Sequence, residues 1–399
     1  MYDVIVVGSR CSGAATALLL ARQGVRVLLT DRARFPSDTI STHLLHAAGV
    51  AHLKSWGLLD PLLAGGCPPI ESISFQPAPD LTLRGAPYPQ DGVAISLAPR
   101  RTVLDELLVR AAVAAGAELR EGVSFQDVVW AEDRVVGARF AAAGESGRRF
   151  VEHAALVVGA DGRHSSVARK VGAGFVRDAG NFGCQFYGYW SGLPDEGAQV
   201  FVGSGQAVLA FPTHGGNHLV LVGWPNARYA EVRQDIDRHF LDAVATLAPA
   251  VRAHLTEDAR AAERILGSGD LGNQIRASRG PGWVLAGDAA VAKDAVTAQG
   301  IGDAFAQAQS LAGRLPAALA AGPAAVDAAT AAHAEEQERE GAAAFATTLA
   351  FAMGGGGDAL LPVFRAIQGR PELATLFFGV YAGRVSFEEF AGAVQSDRS

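Results

Sequence analysis

The chain has 399 residues, 49% of them hydrophobic, with 47 glycines and a formal charge of −7. That length implies two domains around a sizeable core, and the composition fits a folded α/β protein, not a disordered one. The acidic balance excludes nucleic acid as a main partner, because backbone binding needs clustered positive charge.

The N-terminal MYDVIVVG runs straight into an apolar strand, with no basic leader and no cleavage pattern, so a cytoplasmic protein without a secretory signal is expected. No apolar run of about 18 residues occurs, so no membrane span is expected. Cys11, Cys67 and Cys184 are isolated and form no C-x-x-C, so neither a metal site nor a redox disulfide is signalled and buried thiols are expected.

Residues 3–7 read as a buried strand, 13–23 as a helix and 25–30 as a second strand ending at Asp31, 23 residues after Gly8. This is a βαβ unit with a carboxylate placed to accept ribose hydroxyls. The turn between its first strand and its helix, GSRCSG, keeps Gly8 and Gly13 of a G-x-G-x-x-G pattern but has Arg10 at the middle position. Gly8 and Gly13 supply the tight turn and the close helix packing. The free N–H groups of the helix start still face a phosphate, and the Arg10 guanidinium can lie along it. A structural βαβ unit with a coincidental glycine pair is the competing reading.

Two later stretches favour the nucleotide site. ALVVGADGRHSSVAR, 155–169, is a strand ending in Gly159-Ala160-Asp161-Gly162. GWVLAGDAAVAKDAVTAQGIG, 282–302, is a strand ending in Gly287-Asp288, followed by a small-residue loop and a helix from about Gly300. Carboxylates at the C-terminal edges of parallel strands are where open sheets bind ligands. A fourth element is the helix start PRRTVLDELL, 99–108.

With these motifs the chain resembles the FAD-dependent aromatic hydroxylases related to para-hydroxybenzoate hydroxylase, a family that includes geranylgeranyl reductases and flavin-dependent halogenases. The resemblance spans about residues 1–320. It implies an α/β fold: a Rossmann-like FAD-binding domain (1–70, 99–175, 272–322), an inserted mainly antiparallel β substrate domain (71–98, 176–271) and a helical C-terminal tail (323–399). It also implies an FAD-binding set of Gly8, Arg10, Ser12, Gly13, Asp31, Arg32, Arg101, Phe125, Asp161, Gly162, Gly287, Asp288, Gly300 and Ile301. In that set Asp31 holds the adenosine ribose, Asp161 lies by the pyrophosphate and Asp288 binds the ribityl chain. Arg101 lies by the flavin, Phe125 offers backbone to adenine, and the helix at Gly300-Ile301 aims its dipole at the flavin. The loop after Asp288 departs from the family, with Ala295 where proline is usual and Thr297 where glycine is common.

Alternating runs over 70–98 and 181–224 suggest the inserted sheet, with His214-Gly215-Gly216-Asn217 as a hairpin turn. Phe186, Tyr187, Tyr189, Trp190, Phe211 and Trp224 alternate across it, either as two packed faces or as a pocket wall, with Phe211, Pro212 and Trp224 as candidate substrate-lining residues. The tail carries a GGGG break at 354–357 and a charged run at 334–340 that suits a solvated helix face. Its apolar segment 373–383 suits core packing or a subunit contact, which leaves a homo-oligomer open.

The implied activity is a monooxygenase that takes electrons from a transient NAD(P)H and uses O2. It would hydroxylate or epoxidise a small aromatic or polyketide-like substrate through a flavin C4a-hydroperoxide. A second glycine signature is missing, since GAGFVR at 172–177 is incomplete, so FAD takes the one nucleotide site. His43, in the segment 35–50, is the candidate proton carrier, with a hydrogen-bonded structural histidine as the plainer alternative. His164 and His214 carry less weight. A geranylgeranyl reductase-like saturase shares fold and cofactor. A halogenase is disfavoured because all five tryptophans are isolated and no W-x-W-x-I-P is present. A flavin-free prenyl-protein binder like the GDP-dissociation inhibitors is disfavoured by Asp31, Arg101, Asp161 and Asp288.

Overall fold

The computed structural model describes residues 1–143, 147–261, 263–354 and 357–397. The expected βαβ unit is present as strand Tyr2–Val7, helix Cys11–Ala21 and strand Val27–Asp31. The two strands pair in parallel, Val4 opposite Val27 through Val7 opposite Thr30. Every residue of the helix is buried. Its small and apolar sequence lets it sit between the sheet, the helix Arg101–Ala114 and the helix Gly300–Ala321.

The parallel sheet runs in the order 279–280, 283–285, 149–159, 2–7, 27–31, 118–121. Alternation sends Val4 and Val6 into a core shared with the helices, and Ile5 and Val7 into a second core on the opposite face. Arg149–Gly159 serves three neighbours, with Trp283–Leu285 parallel on one side. Its first half pairs antiparallel with Arg134–Ala142, and its apolar second half lies parallel to Tyr2–Val7. Because these central strands run the same way, Gly8, Asp31, Asp161 and Asp288 all emerge at one edge of the sheet.

The second sheet has seven strands in the order 266–268, 183–191, 217–225, 206–212, 198–203, 73–78, 81–85. It is antiparallel except where 198–203 runs parallel to 73–78. His214–Gly216 forms the turn between 206–212 and 217–225, with Gly215 at φ 71°. The six aromatics divide by face. Phe186, Trp190 and Trp224 pack under the helix Ile236–Leu247, where Trp190 stacks on Phe240. Tyr187, Tyr189 and Phe211 turn the other way, toward Leu44, Ala98 and Ala298.

The tail is helical over Pro323–Ala352, Gly357–Ile367, Pro371–Tyr381 and Phe387–Ser396. Of the glycine break, residues 355–356 lie outside the described ones. Phe364, Phe377 and Phe390 cover Phe75, Leu81 and Leu83, so the last three helices close one end of the second sheet. The segment 373–383 therefore contributes to an internal core. No helix among the described residues is long and apolar enough to cross a membrane. A third, separate sheet holds three short strands, 175–178, 274–276 and 291–292.

Candidate FAD site and the seam beside it

The glycine turn is built on contacts that exclude side chains. A Cβ on Gly13 would stand 1.8 Å from the Gly8 carbonyl oxygen, and one on Gly8 would stand 2.3 Å from that of Ala160. Gly8 also has φ +98°, a conformation costly for any other residue. Arg10 is ordinary extended backbone, φ −86° and ψ −167°, so an arginine at the middle position introduces no strain. Asp31 braces the turn by accepting from the backbone N–H of Ser9 at 2.7 Å and of Ala33 at 2.8 Å. The helix that follows starts without a side-chain cap, which leaves its N-terminal dipole to a ligand. Ser9 Oγ and Ser12 Oγ beside it are buried and have no hydrogen-bond partner among the described residues.

Arg10 does not extend freely along that helix start. Its guanidinium pairs with Asp105 at 2.8 Å and donates to Ser37 O, Ser37 Oγ and Asp38 O. Arg101, four residues before Asp105 on one helix, pairs with the same fully buried carboxylate at 2.9 Å. The Cys11 thiol donates to it as well, at 3.2 Å, and burial raises that thiol's pKa. Two guanidiniums against one carboxylate leave one net positive charge beside the turn, which suits a pyrophosphate. Burial opposes the Arg101 charge, yet the nearby Asp105 carboxylate holds that guanidinium protonated.

Asp161 acts on its own segment. It accepts from Ser165 Oγ and from the N–H groups of Ser166 and Val167, fixing the loop that carries Gly162 at φ +77°. Nothing lies within 4 Å of where a Gly162 Cβ would be. Gly287 presses on Ser12, 2.8 Å from an added Cβ, and so sets Asp288 next to the turn. The Asp288 carboxylate is open to the cleft and makes no hydrogen bond among the described residues. Protein walls it closely enough that desolvation raises its pKa, against the lowering pull of Arg163 and Arg101. Arg32 is exposed, while Phe125 is half-buried in the strand Val123–Ala131 with its ring edge-on to Phe140. Ile301 is buried in the helix whose first residue is Gly300.

The loop that lacks the family's proline is held by side chains. Asp294 Oδ1 accepts from Val296 N–H, Thr297 Oγ1 bonds Thr348 Oγ1 at 2.8 Å, and the Thr297 carbonyl meets His46 Nε2 at 2.9 Å. Gln299 accepts from Lys293 Nζ and donates to the Tyr381 carbonyl. Two of these bonds run to the C-terminal helices, so the tail fixes the approach to Gly300.

The seam between the sheets holds the remaining candidates. His43 is fully buried at φ +63°, with Nδ1 donating to Ser41 O at 2.8 Å and Nε2 accepting from Tyr189 Oη at 2.9 Å. Burial pushes its pKa down to about 3, so the ring is neutral at ordinary pH. Phe211 is fully buried on the same face as Tyr189, with Pro212 next in the strand. Trp224 lies on the opposite face, under the helix Ile236–Leu247, and does not share a wall with Phe211. His164, paired with Asp270, is on the surface.

The sequence profile of the FAD binding domain family matches residues 1–344. The chain belongs to that family. It is an FAD-dependent oxidoreductase, and its turn fits the cofactor: among the described residues the buried serine hydroxyls and the Asp288 carboxylate lack the acceptors and donors that FAD carries. Digeranylgeranylglycerophospholipid reductase of Methanothrix thermoacetophila is 26% identical over 328 residues, 78% of this chain and 77% of that protein. 6-Methylpretetramide 4-monooxygenase of Streptomyces rimosus is 25% identical over 311 residues, 75% of this chain and 71% of the relative. The solved flavin-dependent brominase Bmp2 superposes with a TM-score of 0.80 at 17% identity, over 100% of this chain and 99% of its own. That likeness is one of fold alone.

Several residues of this FAD-dependent oxidoreductase escaped the sequence reading. Asp105 was visible as an i, i+4 partner of Arg101, but nothing in the sequence tied it to Arg10. Arg100 and Asp294 gave no signal, because their partners lie more than a hundred residues away or in backbone.

Proposed function

We propose that this flavoprotein is a monooxygenase that oxidises a small aromatic or polyketide-like substrate held in the seam, with NAD(P)H as transient electron donor and O2 as co-substrate. The observation that carries this reading is the inward face of Tyr187, Tyr189 and Phe211, set against Ala298 just before the Gly300 helix. A cluster of aromatic side chains beside a flavin suits a flat ring, and its burial keeps water from the reacting atoms. FAD supplies the redox and oxygen chemistry when bound. The chain's own residues do the rest. Asp31 and Asp161 hold the turn and the Gly162 loop, Arg10 and Arg101 place positive charge at the pyrophosphate, and Asp288 accepts from the ribityl hydroxyls. Arg32 and the Phe125 backbone border the adenosine, and the N–H groups at Gly300 and Ile301 face the flavin ring. Neutral His43 orients Tyr189 through its hydrogen bond. In this reading residues 1–70, 99–175 and 272–322 hold the cofactor, 71–98 and 176–271 the substrate, and 323–399 brace both.

The experiment is NAD(P)H oxidation in air with a panel of phenols and polycyclic aromatics under labelled oxygen. Substrate-stimulated consumption with one labelled oxygen atom in the product supports the reading. A second reading is reduction of a carbon–carbon double bond, favoured by the similarity to the archaeal lipid reductase. Oxygen-independent saturation of a prenyl chain, with no labelled product from any aromatic, would establish it instead.

A further inference from the structure

The seam contains two buried hydrogen-bond donors that find no acceptor among the described residues. His214 is 8% exposed, and its Nδ1 accepts the backbone N–H of Arg100 at 3.1 Å. Burial and the nearby Arg100 charge keep the ring neutral by lowering its pKa. A neutral imidazole that accepts at Nδ1 carries its proton on Nε2. That Nε2–H is sealed from solvent with no acceptor. Arg100 repeats the pattern. Its Nη2 lies 2.8 Å from Glu263 and 3.8 Å from Asp38, while its Nε–H is sealed without a partner.

Both groups adjoin the aromatic wall. The Arg100 guanidinium lies 3.8 Å from the centroid of the Tyr189 ring, and His214 follows Phe211 by three residues, behind Thr213, whose hydroxyl is tied to the Ala98 carbonyl. His43 lies close enough to feel the charge of Arg100. Buried N–H groups are seldom left unpaired in a folded protein, so two in one apolar seam mark the place of an acceptor supplied from outside.

We propose that Arg100 Nε–H and His214 Nε2–H read an uncharged acceptor oxygen, such as a ketone or quinone carbonyl, on the aromatic ligand of the seam. This rests on the monooxygenase reading and narrows its substrate class. Glu263 and Asp38 already offset the guanidinium charge, so a carboxylate gains no ion pair here and loses its hydration.

Three naphthyl probes separate the outcomes by titration calorimetry on the FAD-loaded protein: 2-acetonaphthone, 2-ethylnaphthalene and 2-naphthoate. The ketone is expected to bind about tenfold tighter than the hydrocarbon, the size of one or two well-placed hydrogen bonds, and tighter than the carboxylate. His214→Phe keeps a ring without the donor, and Arg100→Lys keeps the charge without the Nε–H. Each is expected to shrink the ketone preference to within about threefold while leaving the hydrocarbon's affinity little changed. Equal affinity of ketone and hydrocarbon for the wild type would overturn the site, because a resident water then satisfies the donors. So would a preference that survives in both folded variants, tighter binding of the naphthoate, or no binding of any probe. The titration reads heat and not turnover. Selective ketone binding without oxygen transfer to any substrate therefore upholds the site and overturns only the monooxygenase reading.

Discussion

Arg10 occupies a glycine position without the strain that glycine exists to relieve, and its charge goes to Asp105 and to the 37–38 backbone. The sequence displayed the substitution, but only the fold could supply the partner 95 residues away. Burial reaches other single residues in a way that pH exposes. Asp294, with Oδ2 sealed and unpartnered, has its pKa raised by desolvation to about 6, against the lowering effect of the Val296 N–H and of Arg163. The folded state therefore holds this proton more tightly than the unfolded chain, so stability present below about pH 4 is lost as pH rises through 6. His333 works in the opposite direction. Burial lowers its pKa to about 4, so stability present above its ordinary value is lost as pH falls toward 4. The two slopes oppose each other between about pH 4 and 6, and Asp294 contributes none above that window. Asp294→Asn removes the falling slope, so the variant should gain up to about 3 kcal/mol on the wild type as pH rises from about 4 to 6, and melting curves between about pH 4 and 7 check it. An unchanged slope between about pH 4 and 6 in that variant would contradict the assignment.

Among the elements, those with a strong period were legible in the sequence and those held by distant side chains were not. The apolar runs at 3–7 and 155–159 are parallel strands because a strand covered on both faces needs no polar alternation. The hairpin turn at 214–217 was legible because glycines supply its positive φ. The loop 293–299 was not, since Thr348 and Tyr381 hold it from the tail. The three-residue strands 266–268 and 274–276 are too short for any period to mark. Two glycines give the sharpest test at this scale. Gly13→Ala puts a methyl 1.8 Å from a carbonyl oxygen, so it should abolish FAD retention and most soluble expression. Gly162→Ala meets open space and should cost only about 1–2 kcal/mol for its left-handed backbone. Flavin-to-protein absorbance ratios of the two purified variants check this. Comparable retention in both would contradict the turn geometry.

Across the whole molecule, the fold places four strand ends at one edge of a parallel sheet and sets an aromatic sheet face beside them. The order of Gly8, Asp31, Asp161 and Asp288 in the sequence was enough to infer that edge, because parallel strands share it. The division of six aromatics between two faces was legible as an alternation, but not which face met the cofactor domain, since helix and domain cover the sheet equally well. The tail was legible as helical, while its role as a clamp on the loop before Gly300 required the contacts themselves. The central claim is that this edge holds one FAD. Purified protein should be yellow and should release on heating a flavin that co-migrates with FAD at close to one per chain. Colourless protein that takes up no FAD on reconstitution, or release of a mononucleotide flavin in its place, would contradict it.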